Sequence, residues 1–128
     1  MRNTGWISSL MDVDRDAEFA GDDVDQFSSI INLKGNYEFV TVILPIMVSS
    51  DVTIYIQRTD AVTEVPVIMH TLDGDSADSF AQTSAAVSSA AIALTFRIGG
   101  AQYFRLKMDG NQTLDLTFYA KGFNRENM

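Results

Sequence analysis

The chain has no cysteine, a single histidine, two prolines and no apolar run long enough to span a membrane. The lack of cysteine excludes disulfides, thiol chemistry and thiolate-ligated metal sites. The single histidine, His70, lies in a predicted strand, and no Gly-x-Ser-x-Gly motif provides a serine nucleophile for it. We therefore predict that the protein is not an enzyme.

The formal net charge is −8, from 17 acidic and 9 basic residues, and the acidic residues are concentrated near the start of the chain. Residues 1–33 hold seven acids against two bases, and the remainder holds ten against seven, which gives −5 and −3. Nucleic-acid phosphates and anionic lipids repel such a chain, so we predict neither nucleic acid nor membrane as a partner. The first residues lack the apolar core of a signal peptide, so we expect the protein to act where it is made or to leave the cell by a route that needs no signal.

Alternating apolar and polar residues predict an all-β fold. The predicted strands cover residues 27–33, 38–48, 52–57, 65–72, 92–98, 102–108 and 112–121. This spacing, without a long helical pattern, is typical of an antiparallel β-sandwich, either jelly-roll-like or immunoglobulin-like. The chain is predicted to divide into an acidic N-terminal arm, a sandwich domain and a polar C-terminal tail, at 1–25, 26–123 and 124–128.

One face of the last three predicted strands is apolar, and we expect it to line the core. Its residues are Ile92, Leu94, Phe96, Ile98, Phe104, Leu106, Met108, Leu114, Leu116 and Phe118. In residues 76–91, by contrast, 11 of 16 residues are Ala or Ser, which is too little apolar bulk for a core. We predict a surface loop or a short helix there.

The arm carries the candidate partner-binding residues. Trp6, Ile7, Leu10 and Met11 have the spacing of one helical face, and Phe19 interrupts the acidic stretch that follows. Like charges at this density oppose collapse of that stretch, which would also steer the arm toward a basic surface. The apolar residues need a docking place, either on the chain's own sandwich or on a neighbouring subunit. Both alternatives are open at this point.

Two acidic patterns in the sequence partly match calcium-binding loops. Asp12, Asp14 and Asp16 have the 1, 3, 5 spacing of a calcium loop, but Ala17 stands where that loop needs glycine. A second acidic run at 73–78 is typical of a solvated turn. We therefore predict no bound metal and no cofactor.

Three tyrosines occupy the outward phase of predicted strands: Tyr55, Tyr103 and Tyr119. Exposed rings on a sheet can stack on sugar rings, although cross-strand pairing on a solvated sheet gives the same pattern. A carbohydrate-binding module that uses these tyrosines is the alternative function.

Residues 96–105 (FRIGGAQYFR), followed by 116–123 (LTFYAKGF), resemble small virion structural proteins of tailed bacteriophages. The pattern is similar to that of capsid decoration, or cement, proteins over roughly residues 26–123. The resemblance implies a β-sandwich subunit, often a homotrimer, that binds the major capsid protein on the outer surface of the virion and stabilises the shell. It implies synthesis in the host cytoplasm and an arm that reaches the shell. The alternative function, binding through the exposed tyrosines, could equally belong to an adhesion module associated with a phage tail.

Overall fold

The computed structural model of the chain describes residues 3–13, 15–23, 26–46, 50–72, 79–81, 83–86, 90–110, 112 and 114–125. This part of the chain forms eleven strands. They are β1 (Ile7–Met11), β2 (Ile31–Asn32), β3 (Phe39–Leu44), β4 (Ser50–Gln57), β5 (Val67–Ile68), β6 (His70–Leu72), β7 (Ser79–Ala81), β8 (Thr83–Ala86), β9 (Ile92–Arg97), β10 (Tyr103–Met108) and β11 (Leu116–Phe123). None of the described residues belongs to a helix long and apolar enough to cross a membrane.

Two antiparallel sheets make up the body of the protein. The first sheet has the order β1-β11-β3-β9, and the second has the order β2-β10-β4-β5, with β8 pairing to β4 beside β5. Through β1 to β4, and again through β9 to β11, each strand lies in the opposite sheet from the one before it. The predicted all-β antiparallel sandwich is confirmed, and this strand order is that of the jelly-roll alternative.

The core lies between the two sheets, because the apolar side chains of each sheet point toward the other sheet. Phe104, Leu106 and Met108 of β10 are fully buried against residues of the first sheet such as Phe118. The predicted apolar face is therefore confirmed for most of its length. Leu114 is the exception, since 70% of its surface is exposed. Strand β11 begins only at Leu116, so Leu114 lies before the paired strand.

The predicted helical face near the start is wrong, because residues 7–11 form an edge strand. Strand β1 pairs with β11 in a register that runs from Ile7 opposite Ala120 to Met11 opposite Leu116. The ladder turns alternate residues inward, and Met11 is fully buried in the core. The first part of the predicted arm is thus the outer strand of the first sheet.

The segment rich in Ala and Ser also differs from its prediction. Where it is described, it forms strands β7 and β8, which pair with β6 and β4. Main-chain hydrogen bonds form both of these antiparallel ladders. The prediction for residues 76–78, 82 and 87–89 lies outside the described residues.

Candidate functional site

The outer face of the second sheet is covered by the chain's own acidic region. Arg105 is at an outward-facing position of β10, yet none of its surface is exposed. Its guanidinium donates to Gln57 Oε1 at 2.7 Å, to Glu18 Oε2 at 2.5 Å and to the Ser28 carbonyl oxygen at 3.2 Å. We call residues 15–23 and 26–29, which supply two of these acceptors, the covering segment. A buried cation needs such partners, so the ion pair fixes the segment to the sheet.

A second arginine ties the covering segment together. Arg15 Nη1 lies 2.9 Å from Asp22 Oδ2 and 3.2 Å from Glu18 Oε2, and Arg15 Nη2 donates to the Phe27 carbonyl oxygen at 2.7 Å. Glu18 therefore faces the guanidinium groups of both Arg15 and Arg105. Glu18 and Asp22 therefore neutralise the two buried arginines, and this part of the predicted arm is folded back onto its own chain.

Aromatic rings complete this cover. Phe19 and Phe27 are buried and meet edge to face at 5.2 Å between ring centroids, and Phe27 meets Tyr55 in the same way at 5.2 Å. The Arg105 guanidinium lies 5.2 Å from the centroid of the Phe19 ring. Phe19 is thus an internal anchor of its own chain, and Tyr55 is partly enclosed by the same cluster.

The outer face of the first sheet has no such cover among the described residues. Four large side chains lie on it with substantial exposure: Trp6 (51%), Leu10 (42%), Ile43 (37%) and Tyr119 (47%). Tyr119 stands opposite Ile43 on one neighbouring strand and opposite Ser8 on the other. We call the outward side of β1, β11, β3 and β9, with Trp6, the open face.

The four strands of the open face carry a charge opposite in sign to that of the whole chain. Strands β1, β3, β9 and β11 contain no Asp or Glu, although the chain has 17 of them. Their two cations are Arg97 and Lys121, and Lys121 Nζ lies 5.6 Å from the centroid of the Trp6 ring. The acidic covering segment is on the other side of the sandwich, so it does not flank Trp6.

Contacts within the open face hold its side chains in place. The hydroxyl oxygens of Thr41 and Thr95 are 2.8 Å apart across adjacent strands. The rings of Phe39 and Phe123 are stacked at 5.3 Å, with the Arg125 guanidinium 5.4 Å from the Phe39 centroid. A surface ordered in this way loses little side-chain entropy on binding, which favours association.

The five predicted partner-binding residues separate into two groups. Trp6 and Leu10 lie on the open face, whereas Ile7 is half-buried and packs against the core. Met11 and Phe19 are buried within the chain, which contradicts their assignment as anchors for another polypeptide. Ile7 and Met11 turn inward because the strand period of two places neighbouring residues on opposite sides, whereas the helical pattern placed them together with Trp6 and Leu10. Phe19 is buried by its contacts with Phe27 and Arg105.

The three candidate tyrosines do not form one surface. Tyr55 and Tyr103 belong to the second sheet, and Tyr119 belongs to the first. A stacking platform that uses all three tyrosines is therefore not available.

The structure describes only part of the acidic candidates for a metal site. Asp14 and the run at 73–78 lie outside the described residues, and Asp12 and Asp16 flank Asp14. Within the described ranges, no group of three or more acidic or histidine side chains could hold a metal ion.

Two functional features escaped the sequence analysis. The burial of Arg105 left no local signal, because its carboxylate partner is 87 residues away. The open face, by contrast, left a signal in the sequence, because the four strands that form it contain no acidic residue although the chain as a whole is acidic. Comparison with protein-family models, with curated proteins and with solved structures finds no match for this chain.

Proposed function

We propose that the protein is a non-enzymatic virion structural protein that binds the outer surface of a phage capsid through its open face and stabilises the shell. The observation that carries the proposal is the uncovered set of Trp6, Leu10, Ile43 and Tyr119 on a single sheet face. Large exposed apolar side chains that lie together mark interaction sites, and Trp and Tyr dominate binding energies at protein interfaces.

The fold is compatible with this role and does not decide it. Jelly rolls occur in viral capsid proteins and also in lectins, so the architecture alone carries no function. The choice of a structural role rests on the lack of cysteine, the single histidine His70 and the aromatic open face.

The size of the open face favours attachment in several copies. Four strands spaced about 4.8 Å apart and about 20 Å long give a surface of roughly 400 Å² in projection. A stable protein interface buries about 800 Å² on each partner, so one open face alone binds weakly. A homotrimer that docks three open faces together would gain the missing affinity through avidity.

The partner surface has a charge that follows from the open face. The strands of the open face carry two cations, Arg97 and Lys121, and no carboxylate. A neutral or acidic patch of the major capsid protein complements this face, whereas a basic patch is repelled. Binding through such contacts weakens as the salt concentration rises.

Co-sedimentation with empty tailed-phage capsids tests the proposal, with two matched leucine variants. Leu10 lies on the open face and Leu114 outside it, and both are exposed. We expect Leu10→Ala to weaken capsid binding about fivefold and Trp6→Ala about thirtyfold, as for a central aromatic anchor. Leu114→Ala should bind as the wild type does.

Two results would overturn the proposal. The first is wild-type protein that stays in the supernatant with capsids in excess. The second is equal loss of binding in Leu10→Ala and Leu114→Ala, which would show that the open face is not the contact. Size-exclusion chromatography with light scattering tests the trimer separately, and a monomer at all concentrations would contradict it.

A further inference from the structure

Strand β9 is the last strand of the first sheet, and among the described residues β3 is the only strand that pairs with it. The Ile98 N–H donates to the Glu38 carbonyl oxygen at 2.9 Å, in continuation of the register between β3 and β9. Antiparallel ladders alternate between hydrogen-bonded and non-hydrogen-bonded pairs, so the main-chain groups of Ala93 and Thr95 point away from β3. We call these outward main-chain groups the β9 edge.

A side-chain contact agrees with this alternation. Thr95 stands opposite Thr41, and the hydroxyl oxygens of the two residues are 2.8 Å apart. Side chains lie closer in a non-hydrogen-bonded pair than in a hydrogen-bonded one. The N–H and carbonyl groups of Thr95 are therefore directed to the outside of the sheet.

The features that usually protect an outer strand are absent from β9. Its sequence, IALTFR, contains no Pro, Lys, Asp, Glu or Gly, and its pairing with β3 is continuous, without a bulge. The outer strands β1, β2, β5 and β8 are all shorter than the six residues of β9. The main chain of β1 is also contacted, since the Ser29 N–H donates to the Leu10 carbonyl oxygen at 2.9 Å. Strand β9 is thus the outer strand most open to pairing with another chain.

We propose that the β9 edge takes up an extended, acidic segment of the major capsid protein as a fifth strand of the first sheet. This inference rests on the proposed capsid binding, and it names how that contact continues past the open face. In strand addition, main-chain hydrogen bonds supply affinity and alternate side chains supply specificity. The added strand widens a contact that is small for a stable interface when one open face binds alone.

The side chains of β9 determine which kind of segment fits. Ile92 and Leu94 are only half-buried, so apolar side chains on the core side of the added strand would cover them. Ala93 and Thr95 are exposed on the open face, whose strands carry two cations and no carboxylate. Acidic side chains on that side of the added strand complement this charge. The expected segment therefore alternates apolar and acidic residues.

Symmetry and charge both favour a capsid segment over a second copy of this chain. Antiparallel pairing of β9 with β9 of another copy has two-fold symmetry, so it joins chains in twos and not in the proposed threes. It would also bring two open faces of like charge into one sheet, whereas an acidic segment brings the opposite charge.

Co-sedimentation with empty tailed-phage capsids tests the inference with two variants of Ala93. Ala93→Pro removes the N–H that would donate to the added strand, and this N–H does not take part in the ladder with β3. Ala93→Thr is the matched control, because it keeps the N–H and threonine is favoured in strands. We expect Ala93→Pro to weaken capsid binding about tenfold and Ala93→Thr to bind as the wild type does.

Hydrogen–deuterium exchange of the wild type gives a second readout that needs no substitution, and it decides the question if circular dichroism shows that Ala93→Pro is unfolded. In the free chain, the amides of Ala93 and Thr95 should exchange faster than those of Leu94 and Phe96, which bond to β3. Capsid binding should slow exchange at Ala93 and Thr95 at least about tenfold.

Three outcomes would overturn this inference and leave the capsid proposal standing. They are unchanged exchange at Ala93 and Thr95 in the capsid-bound protein, equal capsid binding by folded Ala93→Pro and Ala93→Thr, and protection of the two amides that rises with protein concentration without capsids. The last outcome would make a second copy the occupant. Failure of the wild type to co-sediment would overturn both proposals together.

Discussion

Replacement of Glu18 by glutamine tests whether the ion pair with Arg105 holds the covering segment on the second sheet. Loss of one partner of a buried pair costs about 3–5 kcal/mol, because the other charge stays buried without compensation. Here 19% of the Glu18 side chain is exposed, and glutamine keeps one oxygen that can accept from Arg105, so both effects reduce the loss. We expect Glu18→Gln to lower the free energy of unfolding by about 2 kcal/mol.

Thermal unfolding followed by circular dichroism measures this loss. An unfolding entropy of about 2.1 cal/mol/K per residue gives about 0.27 kcal/mol/K for this chain, so 2 kcal/mol lowers Tm by about 7 °C. Asp16→Asn is the matched control, because Asp16 is an exposed acid of the same segment. It should change the free energy of unfolding by less than about 0.5 kcal/mol.

Limited trypsin digestion reports on the segment itself. The Arg15 side chain is only 9% exposed, so the bond after it is protected while the covering segment is docked. Glu18→Gln should be cleaved there faster than the wild type or Asp16→Asn. Wild-type Tm and wild-type resistance to trypsin in Glu18→Gln would together refute the claim that this ion pair fixes the cover.

Two further predictions concern packing and pH. Gly122→Ala should lower the free energy of unfolding by about 1–3 kcal/mol, measured by urea titration. The new Cβ would lie 3.1 Å from Tyr37 Cγ and 3.2 Å from Leu33 Cδ2, both in the core. A gain in stability would contradict that packing. Hydrogen bonds from the Thr59 hydroxyl and from backbone N–H groups lower the pKa of Glu64 below its ordinary 4.5. Because the folded pKa is the lower one, this stabilisation is present above pH 4.5 and is lost as the pH falls through the folded pKa. The stability curves of the wild type and Glu64→Gln should therefore converge in acid, and parallel curves would contradict it.

The sandwich could be predicted from sequence because its signal is local. Phe104, Leu106 and Met108 alternate with polar residues, and a sheet with one buried side produces that period wherever it lies in the fold. The sequence signal for where a strand begins is less local. Leu114 continues the alternation, yet strand β11 begins only at Leu116. Pairing between distant segments decides where a strand begins.

The first residues show how tertiary contacts can override a short pattern. The spacing of Trp6, Ile7, Leu10 and Met11 fits a helical face, but so few residues also fit a strand. The free edge of β11 decides between them, because main-chain pairing along it turns Ile7 and Met11 toward the core. No property of residues 6–11 alone reveals that edge.

The two outer faces differ in how far the sequence could predict them. Arg105 reads as an ordinary outward residue of β10, and its burial depends on Glu18, far away in the chain. The open face is partly visible in the sequence as four strands without carboxylates. Its recognition as one surface requires the strand order, which brings Leu10, Tyr119 and Ile43 together.

Hydroxyl-radical footprinting of the capsid-bound protein tests the central claim, that the open face is where the protein meets the capsid. Trp6 and Tyr119 are exposed on that face, and Leu114 and Val67 are exposed elsewhere, so each is open to oxidation in the unbound chain. The account predicts that capsid binding protects Trp6 and Tyr119 and leaves the oxidation of Leu114 and Val67 unchanged. Undiminished oxidation of Trp6 and Tyr119 in the bound protein would contradict it.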